Sequence, residues 1–188
     1  MQRVSRLAIL LMLSLMATGA FAVENDFLSE SRTMVKQFGG ELKGELLASL
    51  KKGDPINAIT VCSQKAPAIA EYLAHGQNRV IARTSLKPRN PGNAPDLWER
   101  STLELFAERK ARGEDVGQME HYQVLTVEGQ QVFRYMKAIP VAEPCLTCHG
   151  QQITPELKSK LLELYPKDRA VGFSVGEIIG AFSISMPM

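Results

Sequence analysis

The chain is poor in metal-binding and thiol side chains: three cysteines and three histidines in 188 residues. Beside its single Cys-x-x-Cys it has no second Cys/His pair at ligand spacing, so no four-ligand zinc site can be assembled. It has no excess of one charge. With 22 Lys and Arg against 20 Asp and Glu the formal charge is +2, which gives nucleic acid or an anionic membrane nothing to bind. It has no internal repeat, no low-complexity tract and no distal acid/base constellation of the kind a peroxidase needs. It also lacks a comfortable membrane span. The apolar run Leu7 to Met16 is shorter than the roughly 20 apolar residues a spanning helix requires.

That short run has a different reading. Arg3 and Arg6 precede it, and Ala20-Phe21-Ala22 follows as a small-x-small site. A positive n-region, an apolar h-region and such a site make a secretory signal peptide over residues 1–22, cleaved after Ala22; the alternative is an uncleaved anchor. No cysteine follows the apolar run, so no lipoprotein signal is expected. Removing 22 of the 188 residues leaves 166, one domain over residues 23–188 and long enough for a real core. Two arginines leave with the leader and no acid does, so the remainder carries 20 charges of each sign. The expectation is a periplasmic chain with no stable membrane insertion after cleavage.

Against this background one stretch stands out: Cys145-Leu146-Thr147-Cys148-His149-Gly150. Cys-x-x-Cys-His is the covalent attachment sequence of a c-type haem. Positions i, i+3 and i+4 share one face of a helical turn. A single turn can therefore offer Cys145 and Cys148 to the porphyrin edge and His149 to the iron. A thioredoxin-like dithiol would need a βαβ setting, whereas Lys137 to Pro144 is extended and interrupted by Pro140 and Pro144. A plain structural disulfide is the other competitor. Haem is attached on the exported side of the bacterial membrane, so leader and motif support each other. They imply one haem c per chain, and Cys62 is then left unpaired in an oxidising compartment.

The rest of the chain divides by its hydrophobic periodicity. Val23 to Lys52 is expected to be a long helix, with Leu28, Met34, Val35, Phe38, Leu42, Leu46, Leu47 and Leu50 at helical steps and a weak point at Gly39-Gly40. It would pack on its own domain or form a homodimer seam. A second helix opens at Asp54-Pro55 and carries Ile56, Ile59, Cys62, Ala66, Ile69, Ala70 and Leu73 on one stripe. Pro67 bends or restarts it near Ala66, and it ends at His75-Gly76. Val80 to Thr84 is a strand candidate, and Ser85 to Asp96 is a proline-rich loop. Asp96 caps a helix to about Arg112 that turns Leu97, Leu103, Phe106 and Ala107 inward. His121–Val127 and Gln131–Ile139 form a β-hairpin across Glu128-Gly129-Gln130. Thr154-Pro155 opens a short helix to about Leu164, and Ala170 to Met186 is turn plus strand. Helices first, then antiparallel strands, make the fold class α+β. The late motif does not suit the all-helical plan of small cytochromes c, since 39 of the 188 residues follow His149.

Several blocks in order resemble a known family: Ala58-Ile59-Thr60-Val61-Cys62-Ser63; Arg83 to Pro91 with Asn93, Pro95-Asp96 and Trp98-Glu99; Cys145 to Gly150; and Gly172 to Glu177 leading to Gly180 to Ile184. The chain is similar to the single-haem c-type family with a PAS-like fold, found as an exported protein and as the sensory region of bacterial kinases and chemoreceptors. The resemblance spans nearly all of residues 23–188. It implies a PAS-like central antiparallel sheet flanked by helices, and it implies that Cys62 is the second axial ligand opposite His149.

From the residues alone, Cys62 is either a small buried hydrophobe or an iron ligand; its rivals are Met119, Met136, Met186, His75 and His121. A thiolate ligand favours ferric iron and a low potential, and a methionine raises it. His75 reads better as a helix-end cap and His121 as a surface residue. Arg83, Lys87 and Arg89 are either a solvated loop or the partners of the haem propionates, for which an arginine fork is suited. Trp98, Phe133, Tyr135 and Phe173 are either core or haem walls. The function expected is one-electron transfer by a periplasmic mono-haem c-type cytochrome with redox partner proteins. With both axial positions filled the iron has no open site, so no enzyme activity is expected. The alternative is a redox or small-gas sensing module that acts through a separate partner, since no kinase or methyl-accepting segment is present.

Overall fold

The structure is a computed structural model that describes residues 3–76 and 78–188, with side chains from Val23 onward. The expected signal segment, 1–22, lies outside the residues whose side chains are described. Among the residues that are, no helix is long and apolar enough to cross a membrane.

Helix α1 (Arg3–Lys51) runs unbroken through Gly39-Gly40. Leu28, Met34, Val35, Phe38 and Leu42 form its buried stripe, at the three- and four-residue steps that place side chains on one helical face. Gly39 is there for space. A Cβ on it would lie 3.2 Å from the Phe182 ring, so its bareness lets that ring sit against the helix. The stripe that offered a dimer seam is buried on the chain's own sheet, among Ile81, Phe133, Tyr135, Ile184 and Met186.

Asp54 caps α2 (Pro55–Thr60), its carboxylate accepting from the Asn57 N–H at 2.7 Å. The interruption expected near Ala66 takes the form of a π-helical turn, Val61–Lys65, where the Ala66 N–H reaches back five residues to the Val61 carbonyl. Pro67 has no N–H and its ring crowds the carbonyl four residues back, so a wider turn is the low-strain way to continue. Helix α3 (Ala66–Ala74) follows, with His75 closing it.

Four strands make one sheet: β1 (Val80–Thr84), β2 (Glu120–Val127), β3 (Gln130–Pro140) and β4 (Ile178–Pro187). The order is β1-β4-β3-β2 and every pair is antiparallel. Glu128 and Gly129 both have positive φ, the signature of a type I′ hairpin turn. Opposite the α1 face lies α4 (Leu97–Ala111), which packs Leu103 and Phe106 on Val116, Met119, Met136, Ala138 and Ala181. Asp96 and Glu99 form a full capping box at its start. Two inward assignments in α4 were incorrect: Leu97 is 86% exposed and Ala107 is exposed. The buried stripe runs through Thr102, Leu103 and Phe106. Leu97 and Ala107 are rotated off it, because each residue turns the helix by about 100°.

The motif forms α5 (Leu146–His149) after a 3-10 turn at Glu143–Cys145, and α6 (Pro155–Leu164) is capped by Thr154. This is the expected α+β architecture: a PAS-like central antiparallel sheet flanked by helices, with a long N-terminal helix.

Candidate functional site

Cys145 to His149 occupies one helical turn, so both thiols and the imidazole come from a single short element. All three cysteines of the chain are free thiols. Gly150 ends the turn, its N–H bonded to the Leu146 carbonyl at 2.9 Å. A Cβ on Gly150 would stand 2.6 Å from that oxygen, so the return of the chain requires glycine. Beyond it, the segment 168–173 folds back over the motif. The Gly172 and Phe173 N–H groups donate to the carbonyls of Gly150 and His149, at 3.1 and 2.9 Å.

His149 is held from the side. Its Nδ1 lies 2.8 Å from the Ala170 carbonyl oxygen. A carbonyl only accepts, so Nδ1 carries the proton and Nε2 keeps its lone pair. Burial, helped by the Arg89 charge, pushes the imidazole pKa down to about 4. It is therefore a neutral nitrogen donor at ordinary pH.

Arg89 ties the 85–96 loop to this turn. Its Nε donates to Asp168 Oδ2 at 3.0 Å, and its Nη2 donates to the carbonyls of Cys148 and Ala170, at 2.5 and 3.1 Å. Lys87 lies over the Phe173 ring, 5.2 Å from its centre, and that ring meets His149 edge-on with centroids 6.4 Å apart.

Cys62 sits in the π turn between α2 and α3, within electrostatic reach of Arg83, Arg89 and Cys145. Burial pushes its thiol up, and the two arginines oppose that. Arg83 is set by the β1 register, which pairs it with Phe182 and so turns it to the α1 and α3 side. Burial lowers its pKa, and the groups that act on it are Cys62 and Tyr165. No carboxylate pairs with it among the described residues. Tyr165 closes α6 and joins Cys148, Ile153 and Ile56 around the Ile59–Leu157–Leu161 cluster.

The structure thus gathers Cys62, Arg83, Lys87, Arg89, Cys145, Cys148 and His149 around one end of the sheet. It separates the rivals for Cys62. Met119 and Met136 are sealed in the α4 core and Met186 in the α1 core; His75 caps α3. His121, expected on the surface, is half-buried and stacked on Trp98 at 5.9 Å. Of the four candidate wall aromatics only Phe173 reaches the motif. Phe133 and Tyr135 lie under α1, and Trp98 packs on the α4 core. The residues that sequence reasoning missed are Tyr165, Asp168 and Ala170. The last acts through its backbone, which leaves no side-chain signal.

A family model described as Tll0287-like: Tll0287 matches residues 4–187. This chain belongs to the Tll0287-like family. The family resemblance drawn from its sequence blocks is borne out. Among solved structures, the Tll0287-like chain is similar to the "Crystal structure of the cyanobacterial heme-protein Tll0287", with a TM-score of 0.67 and 22% identity over 87% of this chain and 96% of that one. At that identity the likeness carries the fold. No curated protein matches it.

Proposed function

We propose that this chain is an exported mono-haem c-type cytochrome that passes single electrons. The observation that carries the reading is His149. Its ring is neutral, its Nδ1 proton is given to Ala170, and its Nε2 is left as a donor on the same turn as two free thiols. A carbonyl partner of this kind orients ligating histidines in general. The structural relative's printed title, a heme-protein, agrees.

The other residues fit the same group. Cys145 and Cys148 would supply the two thioether links, and His149 and Cys62 the axial positions, one haem per chain. Arg83 is a largely buried cation with no carboxylate paired to it among the described residues. A buried charge is costly unless paired, so a propionate is a fitting partner for it. Arg89 is already engaged by Asp168, and Lys87 stands at the exposed rim. When bound, haem supplies a one-electron couple whose potential the axial ligands tune. With both axial positions held, no site is left for a substrate, so we read the chain as a carrier and not an enzyme. The leader-like residues 1–22 support a periplasmic location.

A second reading rests on Cys62. A thiolate ligand favours ferric over ferrous iron, so its bond is expected to weaken on reduction and admit a small gas, which suits a sensor with a separate partner. Carbon monoxide added to the ferrous protein distinguishes the two, because an unchanged spectrum removes the sensing reading.

The deciding experiment is the pyridine haemochrome of the exported protein, with Cys145→Ser and Cys62→Ser beside it. Attached haem is expected in the native chain and half-linked haem in the first variant. The second variant should keep its haem but lose the low-spin ferric spectrum. An unchanged spectrum and potential in Cys62→Ser would remove Cys62 as a ligand.

A further inference from the structure

The backbone of Ala170 is gripped at its N–H and at its carbonyl by one ion pair. Asp168 Oδ1 accepts its N–H at 2.8 Å. Arg89 Nη2 donates to its carbonyl at 3.1 Å, and Arg89 Nε closes the ring on Asp168 Oδ2 at 3.0 Å. The same carbonyl oxygen accepts from His149 Nδ1 at 2.8 Å. The pair is buried, with side chains 12% and 4% exposed.

Such a pair contributes little net stability, since desolvation offsets most of the attraction. A staple between the 85–96 loop and the 168–170 segment would not need charge. Besides the Cys148 carbonyl, to which Arg89 Nη2 donates at 2.5 Å, what the charges reach is the carbonyl that orients His149. Both lone pairs of that oxygen are taken, one by the imidazole and one by the guanidinium. A cationic donor draws electron density from the carbonyl and weakens its pull on the Nδ1 proton. The imidazole then has less imidazolate character and donates less to a metal. The carboxylate of Asp168 counters this by partly neutralising Arg89.

We infer that Arg89 and Asp168 are positioning residues that set the reduction potential of the centre in opposite directions, through the Ala170 carbonyl. This rests on the haem reading above. Arg89 disfavours the ferric state, by its charge and by competing for the carbonyl. Asp168 favours it. A merely structural pair behaves differently, because losing either partner loosens the same turn and moves every readout the same way.

The test is redox titration of the haem-loaded full chain with Asp168→Asn, Arg89→Gln and Arg89→Lys. Asp168→Asn is expected to raise the reduced-to-oxidised ratio at fixed poise tenfold or more, and Arg89→Gln to lower it by as much. Tenfold is about 59 mV for one electron. Arg89→Lys keeps the charge and is expected to stay within threefold of the native ratio. Shifts of the same sign, or no shift, overturn the inference. If Arg89→Gln fails to load, Asp168→Asn still decides, since an unchanged or lowered ratio is fatal. A second measurement needs no haem. In the haem-free chain, nitrogen NMR of the His149 ring should show the Nδ1–H tautomer, its proton moving downfield in Arg89→Gln. The opposite tautomer overturns the inference. A native chain that takes up no haem refutes the functional reading instead, and the haem-free measurement still judges the grip.

Discussion

Arg83 stands opposite Phe182 in the β1–β4 ladder, and that register turns its guanidinium toward Cys62 and not toward α4. A cation delivered there by the sheet lacks a carboxylate among the described residues. Arg83→Met is therefore expected to stabilise the haem-free chain, by about 1 kcal/mol or more, as replacing buried charge by apolar volume does elsewhere. In the haem-loaded chain the sign is expected to reverse, because a propionate loses its partner. Thermal melts of both forms check this. Destabilisation of the haem-free form alone would remove Arg83 from the propionate role.

Gly150→Ala tests the turn itself. The added Cβ would meet the Leu146 carbonyl at 2.6 Å, and backbone cannot yield as a side-chain tip can. The α5 turn is expected to open, lowering haem attached per chain several-fold. The core clusters under α1 and α4 do not involve the residue, so the far-ultraviolet spectrum is expected to persist. Haemochrome absorbance per mole of protein is the measurement.

The two glycines in the middle of α1 predict opposite effects. Nothing lies within 4 Å of a Cβ on Gly40, so Gly40→Ala is expected to stabilise by about 0.5–1 kcal/mol through helix propensity. At Gly39 the Phe182 ring is in the way, and Gly39→Val is expected to cost about 1–3 kcal/mol through overpacking. Urea midpoints separate them. A loss of the Gly39→Val penalty on adding Phe182→Leu would identify the contact.

Glu120 predicts an acid-side effect. The hydrogen bond from Arg32 holds its carboxyl below the usual range against partial burial, and the Tyr135 hydroxyl adds to it, donating at 2.8 Å. A carboxyl whose pKa is lower folded than unfolded binds more protons when unfolded. Its stabilisation is present above the unfolded value, about 4.3, and is lost as pH falls through the folded one. Arg32 is solvent-exposed, so screening keeps the effect to about 1 kcal/mol. Glu120→Gln is expected to flatten the stability profile below pH 5 and to leave it parallel to the native profile above pH 6.

What was legible in the sequence was local or periodic. The Asp54 and Asp96 caps, strand β1, the hairpin and the α1 stripe each follow from neighbours in the chain, although Gln130, expected in the hairpin turn, is the first residue of β3 and pairs with Val127. So does the placing of Cys145 to His149 on one turn. The long-range terms were hidden. Asp168 is an unremarkable acid until the fold brings it to Arg89, 79 residues away. The Ala170 carbonyl has no signature at all. Leu97 went wrong because apolar character was taken for inward direction; in the first turn of α4 it is Trp98 that meets the sheet, stacking on His121 and donating to Gln123, and Leu97 is rotated away from it. The π turn was foreseen only as a disturbance at Pro67, because a proline constrains the chain without dictating which wider turn relieves it.

The sheet order has a consequence for timing. The strand β4, fourth in sequence, lies second in space, between β1 and β3. Until Ile178–Pro187 arrives, β1 has no neighbour and the β2–β3 hairpin is an isolated ribbon, which is marginal in water. Closing such non-local pairs is the slow step of folding. During a vectorial delivery the thiols of Cys145 and Cys148 would emerge first and wait in an open chain, accessible to whatever modifies them, before the 168–173 segment shuts over the turn.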